Sequence, residues 1–245
     1  MRSHIFLALM LAFMAAAVSA SADPLTPAQR DAIEQLIRQT LADHPDIVID
    51  ALKAAQAKSD ADAAASVQKA LVAGHDQLVA DPTSPIGGNP KGDVTIVEFF
   101  DYRCPYCKEI EPSLEGLLKE DHGIRLVYKE FPILGPASVY AAHVALAARA
   151  QGKYDAFHRA MMAVKGTIDD DVVRRTAESV GIDMKKLDGA IDAPEIDRII
   201  KANYDLADSL EIDGTPAFVI GDKLLPGVPD AGALKELVAE MRKGG

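Results

Sequence analysis

The chain has 245 residues, with 26 lysines and arginines against 37 aspartates and glutamates, for a net charge of −11. That balance excludes a protein that holds nucleic acid by neutralising phosphates. Two cysteines in the whole chain are too few for a small scaffold stapled by disulfides.

Residues 1–22 read as a secretory signal. Arg2 gives a positive start, Ile5 to Val18 form an apolar stretch, and Ala20-Ser21-Ala22 offers a small-residue cleavage site. The stretch is short for a membrane span, and no later segment reaches 18 apolar residues. The expected product is an exported, soluble chain of about 223 residues beginning near Asp23. Losing Arg2 leaves 25 basic against 37 acidic residues, or −12.

Residues 23–80 form a helical arm. Thr26 is placed to cap a helix with Pro27 at its first position, and Ile33, Leu36, Ile37 and Leu41 recur at helical spacing. His44-Pro45 interrupts, Asp46 restarts, and Ile47, Val48, Ala51 and Leu52 share a face. The stretch from Gln56 to Ser66 is alanine-rich, with high helix propensity and nothing large to bury. The arm has apolar faces but too little mass for its own core, so it packs on the main domain or on copies of itself.

Pro82, Pro85, Gly87-Gly88 and Pro90 mark a boundary, and the domain 81–245 follows. It opens with a strand at 94–100, a helix at 105–120 and a strand from Ile124 to Phe131. Helical stripes occupy about 136–211. Strands return at Ala217 to Ile220 and Lys223 to Leu225 around a Gly221-Asp222 turn, and a last helix runs from about Asp230 to Met241. This order gives an α/β thioredoxin-type fold with an inserted helical domain.

Chemistry concentrates at Cys104-Pro105-Tyr106-Cys107, where the first strand leads into its helix. Free N–H groups at a helix start stabilise a thiolate, so two thiols at this spacing can cycle between dithiol and disulfide. A structural staple is a poor alternative, because so short a loop contributes only about 2 kcal/mol of chain entropy. A structural zinc needs four ligands, and no second CxxC or close histidine pair supplies them.

With these residues in place the chain resembles the DsbA-like family of exported thiol:disulfide oxidoreductases over roughly 90–243. The resemblance rests on Val97-Glu-Phe-Phe-Asp-Tyr-Arg-Cys-Pro-Tyr-Cys107, on Lys129-Glu-Phe-Pro-Ile133 and on Gly214-Thr215-Pro216-Ala217. The arm also looks like the N-terminal extension of the oligomeric ScsC-like branch, which is linked to copper tolerance and disulfide isomerisation. Position at the helix start makes Cys104 the expected exposed nucleophile with a lowered pKa, and Cys107 the buried resolving thiol. Arg103 and Lys108 add positive charge nearby. Glu98 shares a strand face with Val94, Ile96 and Phe100, and the resemblance assigns its position to a buried acid that shuttles the resolving proton. An edge or salt-bridged acid is the alternative. Lys129 either pairs with Glu98 or points into solvent.

Pro216 matches the family's cis-proline, and Thr215 then presents its backbone to an extended client strand. Pro105 and Tyr106 complete the expected substrate-binding set. His122, His143 and His158 show no i, i+4 pairing, and Met161-Met162 reads as core, so no metal site or cofactor is expected. The signal segment places the chain in the periplasm, with misfolded exported proteins as expected clients and a membrane redox partner; the arm favours a homo-oligomeric disulfide isomerase or reductase, a trimer over a dimer. A monomeric dithiol oxidase and a Cu(I)-binding protein using the same thiolates are the alternatives.

Overall fold

A computed structural model describes residues 25–229 and 231–244. The expected signal segment lies outside them. The chain divides into two units, residues 1–58 and 59–245.

The first unit contains helix α1 (Pro27–Asp43) and the beginning of α2 (Asp46–Ala73). Thr26 closes a capping box with Gln29: its hydroxyl accepts from the Gln29 N–H, and its own N–H donates to the Gln29 side chain. Neither Ile33, Leu36, Ile37 and Leu41 on α1 nor Ile47, Val48, Ile49 and Leu52 on α2 is buried; Leu36 and Leu52 are 64% and 65% exposed. An apolar stripe at helical spacing thus stands uncovered in the single chain.

The second unit is built on a five-stranded sheet in the order β1-β3-β2-β4-β5. β1 is Ile86–Gly88, β2 Val94–Phe100, β3 Ile124–Glu130, β4 Ala217–Ile220 and β5 Lys223–Pro226. β2 and β3 run parallel through the crossover helix α4 (Pro105–Glu120), and every other pairing is antiparallel. The short edge strand β1 adds to the expected set. The β4–β5 hairpin turns at Gly221-Asp222, where Gly221 has φ 62°, a left-handed conformation that glycine adopts without steric cost.

Alternation along β2 separates two cores. Val94, Ile96 and Phe100 face one side with Ile110, Leu114 and Leu117 of α4, and with Leu234 and Val238 of the last helix. Val97 and Phe99 face the other, against Leu206 and Leu210 and also Leu71 and Leu78. Leu71 ends α2 and Leu78 sits on α3 (His75–Val79). Residues 59–80 therefore contribute to the core of the larger unit, although the sequence divides the chain near 80.

Helices α5 (Pro136–Ala148), α6 (Tyr154–Met162), α7 (Asp170–Ser179), α8 (Met184–Asp188) and α9 (Pro194–Ser209) form the expected inserted block, and α10 (Ala231–Gly244) closes the chain. The small residues Ala141, Ala142, Ala145 and Ala148 make α5 its buried centre.

Candidate active site

β2 delivers the chain to the head of α4, where Cys104 is the N-cap residue with extended backbone and Pro105 occupies the first helical position. Both cysteines are free thiols. Cys104 lies where the sequence places it but is only 3% exposed, not open as expected, because it packs under the Thr215-Pro216 loop. Its thiol donates to the Thr215 carbonyl over 3.1 Å. The Thr215–Pro216 peptide is cis. Tyr106, by contrast, is 58% exposed beside it.

The two thiols are electrostatically unlike. Hydrogen bonding from the Cys107 thiol, then from Thr215 and the backbone N–H groups of Cys107 and Tyr106, outweighs burial and lowers the Cys104 pKa to about 6. Cys107 is fully buried, and desolvation, Cys104 and the Glu98 charge drive its pKa far up. One sulfur is thus poised as a thiolate and the other held as a thiol.

Glu98 faces the Cys107 side of the sheet, fully buried, and neither carboxylate oxygen has a hydrogen-bond partner among the described residues. Burial, then Glu111, Glu130 and Cys104, push its pKa well up. The edge and salt-bridged alternatives for Glu98 do not hold. Lys129 is neither its partner nor solvated. The register pairs Glu98 with Tyr128, so Lys129 falls on the opposite face. There its ammonium, 1% exposed, donates to Gln77 O, Ser84 Oγ and Asp81.

Arg103 donates to the Leu134 carbonyl and is exposed. Lys108 bonds the Met161, Met162 and Val164 carbonyls at the end of α6, and desolvation lowers its pKa to about 8. It joins the inserted block to the first turn of α4. Asp101 fixes the loop before α5 by accepting from Leu134 N and Ser138 Oγ. His143 contacts Asp197 and the Ile191 carbonyl, the His122 carbonyl accepts from Asn89, and His158 is buried. Met161 and Met162 are core. No group of three or more His, Cys, Asp or Glu residues suited to a metal occurs among the described residues.

Sequence reasoning missed the buried set around His158. Glu130 accepts from the Tyr102 and Tyr154 hydroxyls, and Glu111 lies 3.6 Å from His158. A signal for Glu111 was present, since it interrupts the apolar stripe Cys107, Ile110, Leu114 and Leu117.

Residues 95–239 match the DSBA-like thioredoxin domain model. The chain belongs to this family. Thiol:disulfide interchange protein DsbA of Bordetella pertussis is 30% identical over 175 residues, spanning 65% of this chain and 82% of that protein. A thioredoxin-like oxidoreductase from Silicibacter pomeroyi is 47% identical with a TM-score of 0.67, over 69% of this chain and 97% of the other. A linker-deletion mutant of Proteus mirabilis ScsC is 30% identical with a TM-score of 0.70, over 92% and 100%. The family therefore includes a DsbA-like core and an ScsC-like branch, and the chain's chemistry is thiol–disulfide exchange.

Proposed function

We propose that this protein is an exported, homo-oligomeric disulfide isomerase or reductase of the periplasm, acting on misfolded exported proteins and reset by a membrane redox partner. The observation that carries the oligomeric part is the uncovered apolar stripe of residues 25–58, which a second or third copy would bury. The likeness to ScsC over nearly the whole chain agrees with it.

The chemistry follows from the asymmetry of the two sulfurs. The Cys104 thiolate attacks a client disulfide, forming a bond to one client sulfur and releasing the other as thiolate. In isomerisation that client thiolate attacks elsewhere until a client sulfur displaces Cys104, which leaves unchanged. In reduction Cys107 gives its proton to Glu98, its sulfur bonds to Cys104, and the client sulfur departs. Pro105, exposed Tyr106 and the Thr215-Pro216 loop frame the place where a client strand lies.

One observation favours a second reading, a dithiol oxidase. A Cys104 thiolate stabilised to a pKa of about 6 stabilises the reduced form and makes the disulfide more oxidising.

Reactivation of a scrambled multi-disulfide client, set beside oxidation of the same client fully reduced, decides between them. Strong reactivation of the scrambled form supports isomerisation. Fast oxidation without it supports the oxidase, and a stoichiometric Cu(I) complex with neither activity supports a copper-binding role.

A further inference from the structure

A cleft of about 830 Å³ opens beside the active-site helix, and Arg103 and Pro105, the chain neighbours of Cys104, both line it. From there it runs along α4 as far as Glu115 and across to the end of α6 and the segment 163–168. No residue of the Thr215-Pro216 loop lines it, so this surface is separate from the one that the loop frames.

The cleft is charged against the rest of the molecule. The chain carries −11, yet four cations, Arg103, Lys108, Arg159 and Lys165, line the cleft with only two carboxylates, Glu111 and Glu115. Both carboxylates are already engaged: Glu115 accepts from Lys119 at 3.1 Å, and Glu111 lies 3.6 Å from His158. None of the four cations is paired with a carboxylate among the described residues. Arg159 and Lys165 are exposed, and Arg103 donates one N–H to the Leu134 carbonyl. By contrast, Arg174, Lys201, Lys223, Lys235 and Arg242 each hold a carboxylate within 2.8 Å.

The active-site helix itself fixes the wall of the cleft. Lys108 donates to the Met161, Met162 and Val164 carbonyls. These bonds use its three N–H groups, so it supplies charge and leaves Arg103, Arg159 and Lys165 to make contacts. Arg103 also lines a second cleft, of about 540 Å³, whose other charged residues are Asp169, Asp170 and Asp171. A carboxylate is therefore attracted to the first cleft and repelled from the second. Asp155, one turn before Arg159, lies in a third, of about 290 Å³.

We propose that the 830 Å³ cleft is a client subsite for acidic segments: it takes aspartate or glutamate side chains flanking the client's reactive cysteine, with Arg103, Arg159 and Lys165 as their contacts. Guanidinium groups suit the part, because their paired N–H groups match a carboxylate. The subsite acts on formation of the mixed disulfide. The Cys104 thiolate bonds to one client sulfur and the other client sulfur leaves as thiolate, faster when the neighbouring carboxylates are held. The inference rests on the reading above of Cys104 as the sulfur that joins the client.

The test follows reduction of disulfide-linked peptide dimers by the reduced full chain, with the cysteine flanked by glutamate, glutamine or lysine runs. Glutamate dimers should react about tenfold faster than glutamine dimers at low ionic strength, with lysine dimers slowest. The ratio should shrink to about twofold in about 0.5 M salt. Arg159→Gln with Lys165→Gln should bring it near one, and Arg159→Glu with Lys165→Glu should reverse the order. Lys185→Gln with Lys201→Gln makes the same charge change outside the cleft and should keep the ratio, and thermal melting checks that each variant is folded. The overall charge of −11 acting alone gives the opposite order, lysine fastest. That order in the wild type, or equal rates, overturns the subsite whether or not the variants fold. An acidic preference that survives both cleft pairs, or falls equally in the remote pair, also overturns it. Wild-type rates for every peptide in Cys104→Ser overturn the role of Cys104 instead.

Discussion

The Cys104 thiol lies 3.1 Å from the carbonyl oxygen of Thr215, a residue 111 positions later in the chain. The contact places Cys104 under the Thr215-Pro216 loop and accounts for the low exposure of its sulfur. Burial alone would raise the Cys104 pKa; hydrogen bonds from Cys107, Thr215 and the first-turn amides reverse the sign.

The first prediction concerns that balance. Alkylation of Cys104 should titrate with a midpoint near 6. Thr215→Val leaves the backbone carbonyl in place but removes the side-chain hydrogen bond to the Cys104 thiolate, and so moves the midpoint up, with little change in melting temperature. Iodoacetamide kinetics across pH measure both.

Glu98 predicts a pH-dependent stability. Its folded-state pKa is raised by burial above that of the unfolded chain. Its contribution is therefore fully present below the ordinary carboxylate range and is lost as pH rises through the folded value. Glu98→Gln should equal wild type near pH 4 and exceed it above neutrality, by about 1–3 kcal/mol, the cost of a buried unsatisfied group. Denaturant melts at several pH values provide the check, and equal stability throughout would refute it.

Lys129 predicts the opposite kind of effect. It is buried and holds Gln77, Asp81 and Ser84 against the sheet. Lys129→Ala leaves buried acceptors without their cation and should cost about 3 kcal/mol. Asp81, whose pKa is lowered to about 2 by Thr83, Lys129 and Ser84 against desolvation, adds stability above its unfolded value. That stability is lost as pH falls from about 4 towards 2. The variant should show a shallower acid limb in urea melts.

The apolar arm predicts assembly. Leu36 and Ile37 are 64% and 53% exposed in the single chain. Leu36→Asp with Ile37→Asp should reduce the mass in light scattering to that of a monomer while leaving Cys104 alkylation intact. Leu71 and Leu78 are core residues, so substitution within residues 25–58 is a cleaner probe than truncation at 80.

Much of this site is legible in the sequence because it depends on local periodicity. The strand 94–100 and helix 105–120 match the structure, and alternation alone puts Glu98 on the core face with Ile96 and Phe100. What periodicity does not carry is long-range register. Lys129 lies one residue beyond the position opposite Glu98, and that single step sends it to the other core and to partners from 77–84. The burial of Cys104 depends on Thr215, and the neighbourhood of Glu111 depends on His158; both contacts join segments that the sequence keeps far apart. The strand Ile86–Gly88 escapes a propensity reading because two of its three residues are glycine. Gly87 is there for a packing reason: a Cβ would stand 2.8 Å from the Tyr128 hydroxyl oxygen.

The central claim is that Cys104 forms the bond to the client and Cys107 breaks it. Incubating a Cys107→Ser variant with a disulfide-bearing client, followed by peptide mass spectrometry, tests it directly. The account predicts a stable mixed disulfide joined through Cys104, with none formed by Cys104→Ser in the wild-type Cys107 background. Capture through Cys107 in that second variant at a comparable rate, or no capture through Cys104 in the first, would contradict it.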